Sequence, residues 1–346
     1  MAAAACGSES TTGARIGEAT QETPLFSIEV DGKLGFIDLT GHMVIEPQFN
    51  ATYPFSEGLA AVQRDQDGLW GYIDETGNMF IEAQFAQAFF HSEGLAAVQP
   101  EENGLWGYVD RAGSLVIEPK FCGSFHNMIP PGLFSDGLAS AQVEEDGPYG
   151  YIDTTGAMVI DPRFHTAIQF FEGLAAVQVE EDQPWGYIDT TGKMAIEPQF
   201  HFASMFTEGL AAVQPEEGGL YGYIVATGKI VIEPQFYAAL PFSGGLAAVQ
   251  PEEGGPWGYI DKTGKLAIEP QFHLVSTEYV FGSFFEGLAA VQPQENGLWG
   301  YIDETGDMVI EAQFYKSEPY NRGLAAVQME KDGAWSYVDR TGKVVW

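Results

Sequence analysis

Several sets of side chains in this sequence could do chemistry, and each recurs at a fixed spacing. An acidic residue follows isoleucine at Glu46, Glu82, Glu118, Asp161, Glu197, Glu233, Glu269 and Glu311. Paired carboxylates can hydrolyse glycosides when one is held protonated and the other ionised. That task needs one matched pair in unlike environments. Eight equivalent copies predict a structural role instead, such as accepting backbone N–H groups of a neighbouring unit. The same reasoning assigns Asp38, Asp74, Asp110, Asp153, Asp189, Asp261, Asp303 and Asp339 to turn capping, with Val225 replacing the Asp once. No Ser/His/Asp or Cys/His grouping, dinucleotide-binding glycine loop or Walker sequence is present. An enzyme is not expected, and a hydrolase is only the third reading.

His165, His201 and His273 share one position, which Asn50, Ala86, Cys122, Tyr237 and Tyr315 hold elsewhere. With Zn–N bonds of about 2 Å, such histidines would have to lie within ~5 Å of each other to share a metal. Units stacked at a sheet spacing of ~10 Å keep them apart. Neither a metal nor a cofactor is expected. This row is nevertheless where the units differ most, so Cys122, His165, His201, Tyr237, His273 and Tyr315 are candidates for reading a ligand. The competing explanation is relaxed selection at exposed positions. Cys122, a lone thiol, is expected to pack rather than react.

A third column is aromatic: Trp70, Trp106, Tyr149, Trp185, Tyr221, Trp257, Trp299 and Trp335. It could be a ladder of sugar-stacking platforms, but large rings on a central strand are expected to be core. Acidic doublets recur at Glu101-Glu102, Glu144-Glu145, Glu180-Glu181, Glu216-Glu217 and Glu252-Glu253. In register they would line one rim, either as a solvated edge that discourages strand pairing or as an attractor of Ca²⁺ or a basic partner. No Asp-x-Asp-x-Asp-Gly loop is present to build a defined Ca²⁺ cage.

Composition narrows the partners. The chain has 346 residues, with 49 acidic against 15 basic side chains, a net charge of −34. Nucleic acid is excluded as a partner, because phosphate binding rests on clustered Lys and Arg. Hydrophobic residues make up 45%, enough for a packed core and too many for disorder. No apolar run approaches the ~18 residues of a membrane-spanning helix. Two cysteines, Cys6 and Cys122, cannot form a disulfide framework.

The elements that must position these side chains come from an internal repeat. Gly-Leu-Ala-Ala-Val-Gln begins at Gly58, Gly94, Gly173, Gly209, Gly245, Gly287 and Gly323, with a variant at Gly137. A second mark, Gly-aromatic-Ile/Val, includes Gly71, Gly107, Gly186, Gly258 and Gly300, each preceded by Trp70, Trp106, Trp185, Trp257 or Trp299. Steps between successive marks are 36, 36, 43, 36, 36, 36, 42 and 36 residues. Nine units therefore fill residues 25–346, behind a flexible tether at 1–24.

Each unit reads as three short strands. The first is Leu-Ala-Ala-Val-Gln, placed at a sheet edge or leaving the sheet where Pro100, Pro215, Pro251 and Pro293 follow it. Asn-Gly, Asp-Gly and Gly-Gly pairs after it suit type I′ turns. The second strand is apolar on both faces and central. The third alternates, with Ile45 and Phe49 on one face and Glu46 on the other. The fold class is therefore an all-β tandem array of nine units of about 36 residues. The chain starts near a first strand and stops within a third, with no exchanged strand visible. That favours an open, superhelical array, the alternative being a closed, propeller-like ring. Insertions at 122–135 and 273–285 occupy the same joint four units apart, marking either a binding face or an ancient duplication.

The segments Leu105-Trp106-Gly107-Tyr108-Val109-Asp110 and Ile117-Glu118-Pro119-Lys120-Phe121 resemble the WG, or KWG, repeat family. The resemblance runs through all nine units. It implies a bacterial binding or scaffolding module, often exported, without family-wide catalytic residues. Tyr149 and Tyr221 depart from it, as do Leu34 and Ser336 in the outermost units. Ala3-Ala-Ala-Cys6-Gly-Ser resembles the end of a bacterial lipoprotein signal, which implies lipidation at Cys6 and a signal peptide trimmed from this sequence.

The expectation is a non-catalytic scaffold at the cell envelope or periplasm, presenting an acidic surface to a protein partner, with a basic one as the match its charge favours. Its membrane contact would run only through the lipid anchor, and a cytoplasmic location is the alternative. A carbohydrate or cell-wall binder is the rival reading, using aromatics such as Tyr279, Phe281 and Phe284.

Overall fold

The computed structural model describes residues 24–123, 131–273 and 282–346. Cys6, Tyr279 and Phe281 lie outside the described residues, as do the tether before Pro24 and the middle of both insertions. Nine antiparallel sheets of three or four strands follow one another along the chain. No helix occurs among the described residues.

Unit 1 contributes β1 (Phe26–Val30), β2 (Lys33–Ile37) and β3 (Met43–Phe49). Unit 2 shows the fuller pattern: β4 (Ala51–Thr52), β5 (Leu59–Gln63), β6 (Trp70–Asp74) and β7 (Met79–Phe85), paired in that order. The units ending at Phe121, Phe200, Phe236 and Phe272 repeat it, and those ending at Phe164 and Phe314 keep the last three strands, with a single bridge in place of the short one. Strand β5 is buried from Leu59 to Val62 and β7 alternates buried and exposed. The sheet therefore runs from the short strand near the axis to the third strand at the perimeter, as in a propeller blade. The first strand is not an edge, because β4 pairs with it. The prolines after it lie in the following connection.

The Trp-Gly mark has a geometric cause. Trp70 pairs with Phe85 and Tyr72 with Ile81, so Gly71 of β6 faces the three residues Glu82, Ala83 and Gln84 of β7. The bulge pushes the backbone of β7 against Gly71, where a Cβ would lie 2.5 Å from the Ile81 carbonyl oxygen. Only glycine leaves that space free. The glycine of the next turn serves the seam between units. Gly77 has φ of +83°, and a Cβ there would meet the Ile45 side chain of unit 1 at 3.0 Å.

The connection between first and second strands departs from the expected turn type. Asp31 and Gly32 both have positive φ, as a type I′ turn requires. In unit 2 only Asp67 does, and the loop is closed by Gln63 Nε2 donating to the Gly68 carbonyl at 2.6 Å. The terminal glutamine of each repeat mark is thus a loop clamp, as Gln99, Gln214 and Gln250 also show. The two-positive-φ turn instead joins the short strand to the first strand, at Glu57-Gly58.

The array closes on itself. In most units the second-strand tyrosine donates to an inner carbonyl of the next unit: Tyr72 to Phe89 at 2.8 Å, Tyr151 to Ile168 at 2.6 Å, Tyr223 to Leu240 at 2.8 Å. Tyr337 of unit 9 likewise donates to unit 1, at 2.9 Å, but its acceptor Ser27 lies on the first strand rather than after a short strand. Phe26 packs on Tyr337 with ring centroids 5.4 Å apart. Phe26, Ile28 and Ile37 share a core cluster with Leu324, Val345 and Trp346. The open array is thereby corrected to a nine-bladed β-propeller. Closure needs no exchanged strand among the described residues, because a side-chain seam like the one at most other joints supplies it.

Candidate functional site

Strand direction sorts the turns onto two faces. Connections between first and second strands, and the exits from third strands, lie on one face. Short-to-first-strand turns and second-to-third-strand turns lie on the other. The acidic doublets and the variable row therefore share the first face. Its turns also carry Asp146 and Asp182, against the cations Lys33, Arg64 and Lys331. Most other cations, including Arg111, Lys193, Lys229, Lys262, Lys265 and Arg340, belong to the opposite face.

The backbone holds the variable row in register. His165, Tyr237, His273 and Tyr315 donate their N–H groups to the carbonyls of Gln178, Gln250, Gln292 and Gln328, at 2.7–2.8 Å. Side chains of His165, His201, Tyr237 and Tyr315 are exposed beside the acidic turns, and His273 is half-buried. Tyr237 Oη donates to Glu253 Oε1 at 2.9 Å, and this bond with the Glu253 charge pushes the phenol pKa up. Cys122 is buried, its Sγ 3.6 Å from the Val143 carbonyl. Burial first, then the charges of Glu145 and Glu144, push its thiol up, away from the reactive thiolate. Among the described residues no three His, Cys, Asp or Glu side chains converge on a metal position.

The aromatic column is core. Trp70, Trp106, Trp257 and Trp299 are buried, and Trp185, Tyr149 and Tyr221 are half-buried. Trp335 is 43% exposed, because no third-strand phenylalanine faces it as Phe85 faces Trp70. Phe284, one of the aromatics considered for sugar stacking, is also buried, with its ring against Tyr259.

The third-strand acids do not bridge units. Glu46, Glu82 and Glu118 are exposed. The bridging carboxylates are a set that sequence reasoning missed: Glu57, Glu93, Asp136, Glu172, Glu208 and Glu286. Each follows the short strand and accepts the N–H of the next unit's repeat-mark glycine, as Glu57 does from Gly94 at 3.0 Å and Glu172 from Gly209 at 2.8 Å. Their recurrence before Gly-Leu-Ala was the available signal. Lys262 adds an ion pair to Glu208 at 3.0 Å, and Arg340 one to Glu286 at 3.9 Å. The turn-capping aspartates behave as expected: Asp38 Oδ1 accepts from Thr40 N, Thr40 Oγ1 and His42 N at 2.7–3.0 Å.

The model of the WG containing repeat matches eight stretches: residues 35–66, 70–104, 106–121, 149–181, 185–218, 221–253, 257–297 and 299–331. The chain belongs to the WG repeat family. No curated protein matches it. Among solved structures it is similar to a eukaryotic initiation factor, with 10% identity, 94% of this chain and 96% of that one covered, and a TM-score of 0.63. This likeness concerns the fold. It is also similar to virginiamycin B lyase from Staphylococcus aureus, at 10% identity, covering 70% and 90%, with a TM-score of 0.37. Hsv2p from Kluyveromyces lactis follows at 11%, covering 82% and 94%, with a TM-score of 0.40. The last two scores are too low to carry an argument.

Proposed function

We propose that this WG repeat propeller is a non-catalytic scaffold whose acidic face binds a basic protein partner. The observation that carries the reading is the placement of the acidic turns and the variable His/Tyr row on one face, with most cations on the other. A predominantly acidic surface steers an oppositely charged partner and suppresses wrong ones. The row supplies chemical differences from blade to blade within a rigid frame. The cell envelope, with Cys6 as lipid anchor, belongs to the same proposal and rests on the resemblance of residues 3–8 to a lipoprotein signal.

The test immobilises the chain and captures partners from a bacterial lysate and a cell-wall extract, eluting first with salt and then with mixed sugars. A stoichiometric basic protein released by salt supports the reading. Material released by sugar alone contradicts it.

A further inference from the structure

One seam collects departures that occur once in the repeat. Phe80 is the only aromatic at a third-strand position that holds Val or Ala in every other unit. Ala112 is the only replacement of the threonine in the second-to-third-strand turn. His91 is the only histidine in the buried inner row of Phe55, Phe134, Phe170, Phe206, Phe242, Phe284 and Tyr320. All three belong to the joint between units 2 and 3, on the face opposite the acidic turns.

There Phe80 and Ala112 help to line a cleft of about 510 Å³, together with Gly58, Leu59, Asp74 and Arg111. That volume lies within the ~300–1,000 Å³ range of small-molecule sites. Apolar groups form most of the wall. The polar groups are two, of opposite sign. Lys262 and Arg340, at the turn position of Arg111, are ion-paired to Glu208 and Glu286. Arg111 forms no such pair within 4 Å with a described residue, although Glu57 holds the position that Glu208 and Glu286 hold for them. Asp74 Oδ1 is fixed by Thr76 N, Thr76 Oγ1 and Asn78 N at 2.6–3.0 Å. Beneath the Arg111 turn, His91 Nε2 lies 3.4 Å from the Asp110 carbonyl oxygen. The cleft thus holds a guanidinium and a carboxylate that do not neutralise each other, with an exposed aromatic ring beside them.

We propose that this cleft binds a small zwitterion with an apolar side chain, best represented by an aromatic α-amino acid. Its carboxylate would meet Arg111, which suits planar two-point recognition. Its ammonium would meet Asp74, and its side chain would cover Phe80, Leu59 and Ala112. A simple anion would be repelled by a chain of net charge −34, whereas a zwitterion carries no net charge.

The test titrates the full chain with L-phenylalanine, 3-phenylpropionate and phenethylamine, by calorimetry or saturation-transfer NMR. Variants Phe80→Val, Arg111→Thr and Ala112→Thr install residues that sister units carry at those positions, and their melting curves verify folding. L-phenylalanine is expected to bind saturably at one site, and each single-charge analogue about tenfold or more weakly. Arg111→Thr and Phe80→Val should each weaken it by about tenfold or more, and Ala112→Thr should do so by filling the cleft. Absence of saturable binding would overturn the proposal. So would binding that survives Arg111→Thr and Phe80→Val, or 3-phenylpropionate binding as tightly as L-phenylalanine.

Discussion

Tyr337 donates to the Ser27 carbonyl at 2.9 Å across a separation of 310 residues. The bond joins the ninth blade to the first as Tyr72 joins the second to the third. Closure therefore uses the same donor as the other seams, with an acceptor on the first strand of the neighbouring blade.

Loss of the Tyr337 hydroxyl leaves the Ser27 carbonyl unpaired in a half-buried site. Tyr337→Phe should cost about 1 kcal/mol. Phe26→Ala, which also empties part of the closing cluster, should cost about 3–5 kcal/mol. Thermal melts of both variants check the order, and the second should also raise protease sensitivity at the chain ends.

Gly71→Ala should destabilise by about 2–4 kcal/mol, since its Cβ would sit 2.5 Å from the Ile81 carbonyl oxygen. Ser336→Gly should be close to neutral. The segment opposite Ser336 pairs only through Val344, Val345 and Trp346, without the bulge that presses on Gly71. Denaturant midpoints for the two variants provide the comparison.

His91 is 1% exposed and its Nδ1 has no partner. Burial is the main cause that holds its pKa below the ordinary value, with the Arg111 charge acting in the same direction. The folded protein thus keeps the ring neutral, and protonation favours the unfolded chain. His91→Phe should stabilise by about 1–2 kcal/mol at neutral pH by removing an unsatisfied buried nitrogen. The gain should grow as pH falls below the unfolded value near 6.5. Melting curves of both proteins at pH 8 and pH 5 test this.

Turn-capping aspartates such as Asp153 titrate the other way. The Thr155 hydroxyl, then backbone N–H groups and Lys120, hold Asp153 below the usual carboxylate range despite some burial. Asp38 and Asp303 are lowered in the same manner, each first by its own threonine. Their contribution is present above the unfolded pKa near 4 and is lost as pH falls through the folded values. Asp153→Ala should therefore lower the melting temperature at pH 7 and make little difference near pH 2.

The repeat frame, the three main strands of a unit and the buried Trp column were legible because each is written in local alternation, whereas the short strand that covers the first strand was not. Asp38-type caps were legible for the same reason. Ring closure was not, because Tyr337 looks like any other second-strand tyrosine and its partner Ser27 carries no mark. Glu57 was overlooked because a Ser-Glu-Gly stretch reads as a polar turn, and its bond to Gly94 needs the next blade in place. The cleft at Arg111 depends on residues from Gly58 to Ala112, whose departures from the repeat become one feature only when two blades pack.

The most direct test of the acidic-face account concerns the partner recovered by capture. Its affinity should be measured against the chain and against a variant with Glu101, Glu102, Glu180, Glu181, Glu216, Glu217, Glu252 and Glu253 changed to Gln. The exposed turns should leave stability near that of the parent, within about 0.5 kcal/mol per site. The account expects affinity to fall by about tenfold or more in the variant, with a weaker salt dependence. Equal affinity and equal salt dependence in the two proteins would contradict it.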